Sequence, residues 1–138
     1  MTHPDRSTHR IPAAGQSIIA FALATGVLLF GALVYYMQRQ GTWTPMADDR
    51  TEPMRIIAML GCLVAAAGLY LLRRHAATHP ATAGYAQRNI IGWSIGEVAA
   101  LLGGTYFYMS GDPTWYFVGV LVFVGAILLF PIRPRTAA

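Results

Sequence analysis

Four apolar runs, at about 17–37, 54–72, 90–109 and 114–132, are set apart by short polar stretches and account for most of the chain. At about 1.5 Å of rise per helical residue, each is long enough to cross a hydrocarbon core of about 30 Å. The pattern predicts an all-α membrane protein with four transmembrane helices and no room for a sizeable extramembrane domain. Residues 1–15 hold Pro, Ser, Thr, His and two Arg without periodicity and are expected to form a mobile tail. The first apolar run is too long for the core of a signal peptide and lacks a clean cleavage site, so it is expected to be a retained helix. The remaining chain divides into a first helical hairpin (16–74), a linker (75–87) and a second hairpin with a short tail (88–138).

The two hairpins resemble one another residue by residue. At an offset of 72, Ile18 and Ile19 fall on Ile90 and Ile91, Leu29 on Leu101, Gly31 on Gly103, and Tyr36-Met37 on Tyr108-Met109. At an offset of 60, Pro53 falls on Pro113, Val64 on Val124, Leu69 on Leu129 and Arg73 on Arg133. A repeat unit of two spans inserts twice with the same orientation, which predicts a parallel duplication and not the inverted repeat of many transporters. One difference between the copies stands out: Thr25 of the first corresponds to Glu97 of the second.

Composition agrees with the pattern. Of the 138 residues, 55% are hydrophobic and 12% charged, about half the charged share of a soluble domain. All ten basic side chains are Arg. In a four-span arrangement Arg6, Arg10, Arg73, Arg74, Arg88, Arg133 and Arg135 lie on one side, and Arg39, Arg50 and Arg55 on the other. The positive-inside rule then predicts both termini and the middle loop to be cytoplasmic, in a bacterial inner membrane or a plasma membrane. The net charge of +4 comes from this loop bias. Without a basic run or interleaved aromatic rings it gives no reason to expect nucleic acid as a partner.

Small residues recur on the helices. Gly92, Gly96, Ala100 and Gly104 stand four apart on the third, with Ala99 and Gly103 beside them; Ala20, Ala24, Leu28 and Ala32 are their counterparts on the first, and the second carries Gly61, Ala65 and Gly68. In lipid, helix association depends on close van der Waals contact, which small residues permit, so these stripes are expected to hold the bundle together or to meet a neighbouring subunit. The loop from Gln38 to Glu52, with Trp43, Asp48, Asp49 and Glu52, is long enough to receive a partner, whereas the second hairpin has only the turn Ser110–Pro113. Tyr35, Tyr36, Trp43, Tyr106, Phe107, Tyr108, Trp115, Tyr116 and Phe117 gather at that end, as expected of an interfacial aromatic belt.

Glu97 is the candidate for chemistry. It lies eight residues beyond Asn89, hence about 12 Å along the helix, in the half of the span expected to be cytoplasmic. An acid at the bilayer centre costs about 2.5 to 3.5 kcal/mol to insert, so an intramembrane carboxyl is by default a candidate for ion or proton handling. The competing expectation is a neutral carboxyl making a structural polar contact to Thr25, Ser94, Thr105 or another subunit. His75 and His79 stand four apart and offer a weak candidate metal pair, but Pro80 follows and a solvated loop is the plainer expectation. No His lies within a span, Cys62 is the only cysteine, and the sequence has neither a phosphate-cradling glycine loop nor a nucleophile–base pair. No cofactor and no enzymatic activity are expected.

The stretch Gly96-Glu97-Val98-Ala99-Ala100-Leu101-Leu102-Gly103, preceded by Gln87-Arg88, is similar to the acid-bearing helix of the doubled proteolipids of rotary ATPase membrane rings, relatives of the ATP synthase c subunit. The resemblance implies that Glu97 carries an ion in a homo-oligomer. The residues taken alone favour a different expectation: a small non-catalytic subunit of a larger, energy-converting or other, membrane complex, whose partners are the lipid bilayer and other membrane subunits.

Overall fold

A computed structural model of the chain describes residues 12–41, 43–78 and 85–132. These form four helices: α1 (Ala13–Arg39), α2 (Asp48–Thr78), α3 (Tyr85–Ser110) and α4 (Thr114–Leu129). The first three are long and apolar enough to cross a membrane. The tail before residue 12, His79 and the rest of the linker to 84, and residues 133–138 lie outside the described residues.

Helix boundaries differ from the apolar runs in instructive ways. α2 begins at Asp48 and α3 at Tyr85, five or more residues before the expected spans, because helix-compatible polar residues extend the hydrogen-bonded ladder past the hydrocarbon. Asp48, Asp49 and Glu52 therefore belong to the first turns of α2 and not to a loop. Carboxylates there complement the positive end of the helix dipole, Thr51 Oγ1 donates to the Asp48 carbonyl at 3.2 Å, and Arg55 pairs with Glu52 at 2.6 Å. His75 likewise sits on α2, which runs to Thr78, so the expected linker is helical at 75–78 and again at 85–87.

At the other extreme α4 ends at Leu129, not at 132. Pro131 disfavours α geometry at the residue before it, and Phe130 has left the helix at φ −121° and ψ 65°. Sixteen residues give about 24 Å of helix, short of a hydrocarbon core.

α3 is the axis of the bundle. It packs against α4, α2 and α1, whereas α1 and α2 do not meet each other among the described residues. The first pair of helices thus does not close on itself as the second does. On the α4 side, glycines bring backbones together. A Cβ on Gly96 would lie 2.7 Å from Phe123 Cα, and one on Gly119 would lie 2.6 Å from Ala100 Cα and from the Ala99 carbonyl oxygen. Gly103 meets the Trp115 and Tyr116 backbone in the same way, Gly92 faces the Phe130 ring, and Gly104 faces Phe30 of α1. The stripe expected on α3 is therefore occupied within the chain.

α2 presents Ala58, Cys62, Ala65 and Leu69 as its buried seam, spaced four, three and four as in a coiled-coil contact. That seam shares Ala65 with the expected stripe, and Gly61 touches Leu102 beside it, while a Cβ on Gly68 would meet nothing within 4 Å. On α1 the buried positions are Gln16, Val27, Gly31 and Val34, and Leu28 and Ala32 face outward. The outward surfaces of α1, α2 and α4 are rich in Leu, Ile, Val and Phe, as suits contact with lipid tails. Three rings of the expected belt, Tyr106, Phe107 and Tyr116, are core residues instead.

Candidate functional site

Two polar arrangements are built on this frame. The first caps the broken end of α4. Leaving the helix at Phe130 exposes carbonyls that have no partner on α4, and non-helical backbone at this depth is tolerated only where protein satisfies it. Side chains from α2 and α3 do so. Arg73 donates to the Leu129 carbonyl at 2.8 Å, Trp93 Nε1 to the Phe130 carbonyl at 3.2 Å, and both Tyr85 Oη, at 2.7 Å, and Asn89 Nδ2, at 3.3 Å, to the Pro131 carbonyl. Asn89 Nδ2 also reaches Gln16 Oε1 of α1 at 3.2 Å, tying three helices together. Both Trp93 and Asn89 are fully buried, and among the described residues Asn89 Oδ1 accepts no hydrogen bond. None of these residues was singled out by spacing. The signal was an Asn and a Trp on the face of α3 that also carries Gly92 and Gly96, opposite a Phe-Pro break in the last apolar run.

At the far end, a second set of contacts fixes the loop and the turn. Gly111, at φ +81°, ends α3 in the left-handed conformation that glycine adopts without strain. Asp112 Oδ1 accepts from the Thr114 N–H at 2.9 Å and from its hydroxyl at 2.6 Å. Trp43 packs against Tyr108, with ring centroids 6.5 Å apart, and covers Gly111. The Met46 N–H donates to the Met109 carbonyl at 3.0 Å, and Gln38 Nε2 to the Phe107 carbonyl at 3.1 Å. Trp43, expected to face a partner, is thus turned onto its own chain, while the acids of α2 remain exposed.

Between these ends lies Glu97. It has twelve helical residues before it and thirteen after it in α3, which puts it at the middle of the helix. The packing of α4 gives the same level: Gly96 meets Phe123 and Ala100 meets Gly119, so Glu97 is abreast of the centre of α4. The side chain is half-buried in the seam between α3 and α1, where a Cβ on the exposed Gly26 would lie 4.0 Å from Glu97 Oε1. That glycine leaves room for the carboxyl to emerge at the surface of the bundle.

No hydrogen bond or ion pair engages Glu97 among the described residues. Thr25 and Ser94 make no bond to it, and Thr105 is turned back to the Leu101 carbonyl of its own helix at 2.9 Å. Nor do the described residues bring three or more His, Cys, Asp or Glu side chains together as a metal site would require. The seam can offer a passing or docked group one carboxyl, able to accept hydrogen bonds or, when protonated, to donate one.

Comparison of the chain with protein-family models, with curated proteins and with solved structures finds no match.

Proposed function

We propose that this chain is a small, non-catalytic subunit of a larger membrane complex, and that Glu97 is satisfied by another subunit. The observation that carries the reading is a carboxyl halfway along a membrane-length helix, half-exposed and without an intramolecular partner. Left against lipid, such a group costs about 2.5 to 3.5 kcal/mol. A neighbouring chain that supplies its missing hydrogen bonds recovers part of that cost and gains an orientation-specific contact. The Arg distribution supports a topology with both termini cytoplasmic, and the aligned residues support an origin by parallel duplication, after which α1 and α2 came to be separated by α3. A bacterial inner membrane or plasma membrane suits that topology.

The competing reading is a proteolipid-like homo-oligomer in which Glu97 handles an ion or proton. The single carboxyl and the resemblance around it support that reading. Against it, the acid lies in the first helix of its repeat, and no second titratable side chain accompanies it where a relay would need one. Purification in mild detergent without crosslinking, followed by native mass determination, separates the two. Stoichiometric recovery with other membrane subunits is the expected result. A homogeneous ring or dimer of this chain alone would overturn the subunit reading in favour of ion handling.

A further inference from the structure

We infer that the open face of α3 receives a transmembrane helix from a different subunit, and that this helix carries Lys, Arg or His near the depth of Glu97; the inference rests on the subunit reading above. α3 is covered by α4 at Gly96 and Gly103, by α1 at Gly104 and by α2 at Ala99 and Leu102. Opposite α4 none of the described helices covers it. There Ile91, Ser94, Val98, Leu101 and Thr105 are exposed or half-exposed, up to Tyr108 where Trp43 packs, and their spacing of three and four is the period by which one helix meets another along a seam. Among the described residues α1 and α2 do not touch each other, so this stripe is left open between them. Glu97 and Gly26 lie on the α1 edge of α3, within reach of an occupant.

Charge chooses the occupant. Within the described helices no basic side chain lies within ion-pairing distance of Glu97: Arg73, Arg88 and Arg39 stand at the helix ends, and the ion pair formed is between Arg55 and Glu52. A second copy of this chain would bring another Glu97 and hydroxyls but no cation to this depth. Lipid would bring none either. A helix with one basic residue converts a desolvated acid into an ion pair, and Ser94 and Thr105 on the same stripe offer further polar contacts across the seam.

The test replaces Val98, an exposed residue of the stripe, with a photoreactive phenylalanine analogue in the full chain and irradiates native membranes. The expected product is an adduct with another protein, attached in a transmembrane segment within one turn of a Lys, Arg or His. Glu97→Leu should lower its yield about tenfold, the upper range for one interhelical polar contact. An adduct between two copies of this chain, an adduct in a segment without a basic residue, or an adduct with lipid alone overturns the inference. If the chain purifies with other subunits and yet gives only lipid adducts, the assignment of this face fails while the subunit reading stands. If it purifies alone, both fail.

Discussion

Adding one methyl group to α4 should have opposite effects at two glycines six residues apart. At Gly119 the new Cβ of Gly119→Ala would lie 2.6 Å from Ala100 Cα, 2.6 Å from the Ala99 carbonyl oxygen and 2.8 Å from the Ala100 nitrogen. All three are backbone atoms of α3, so no rotamer change relieves the overlap and the two helices must part by roughly 1 Å. A gap of that size forfeits about a quarter to a half of each dispersion contact along the seam. Overpacking of a close-fitted core costs typically 1–3 kcal/mol, and obstruction by backbone puts this site at the upper end, about 3 kcal/mol before any gain in helix propensity. At Gly125 nothing lies within 4 Å of the added atom, so Gly125→Ala should gain up to about 0.8–1 kcal/mol from propensity alone. Since both substitutions share the propensity gain, their difference isolates the packing cost. Unfolding in mixed micelles on titration with SDS, followed by the fluorescence of the buried Trp93 and half-buried Trp115, measures it. Equal midpoints for the two variants would refute the close backbone contact between α3 and α4.

Three further outcomes follow from individual contacts. Trp93→Phe removes the donor to the Phe130 carbonyl and leaves a buried acceptor unpaired, which should lower stability by about 1–3 kcal/mol in the same titration; an unchanged midpoint would show that the end of α4 is satisfied by other means. Tyr116→Phe removes the 2.8 Å hydrogen bond to the Val27 carbonyl, a tie between α4 and α1. That carbonyl keeps its helical partner, so the loss should be about 0.5–1.5 kcal/mol, with faster amide exchange concentrated in α1. Trp43→Ala should speed exchange of the Met46 amide, bonded to Met109, and move the global midpoint by less than about 1 kcal/mol, since the ring closes a loop and not the core.

The element count and the membrane-length helices were legible in the sequence because hydropathy reports what lipid demands. Helix ends were less so. Asp48 and Tyr85 continue helices past the apolar runs, since nothing in their chemistry stops a helix, while Pro131 ends one inside an apolar run. The α3 stripe was readable as a close-packing face because glycines four apart let another backbone approach, although a partner within the chain and one outside it fit that pattern equally. On α2 the small residues Gly61 and Ala65 meet α3 and Gly68 does not, because Ala58, Cys62 and Leu69 are as compatible with close packing as glycine. Which neighbour each stripe meets is a property of three-dimensional order, and the placement of α3 between α1 and α2 is not encoded in any local pattern. Glu97 was legible as an outlier; its lack of an internal partner was not. The polar cap at Asn89 and Trp93 went unseen because its acceptors are backbone carbonyls, which carry no signature in sequence.

The central claim is that Glu97 is satisfied from outside the chain, and the mass of the assembly recovered from native membranes tests it most directly. Because the side chain is half-exposed and makes no internal bond, Glu97→Leu should leave the fold and its SDS midpoint intact. The wild-type chain should be recovered in a heteromeric complex, and the Leu variant as the free chain, whose wild-type mass is 15.0 kDa. Retention of the Leu variant in the same complex at wild-type stoichiometry, or a wild-type chain recovered alone, would contradict that claim.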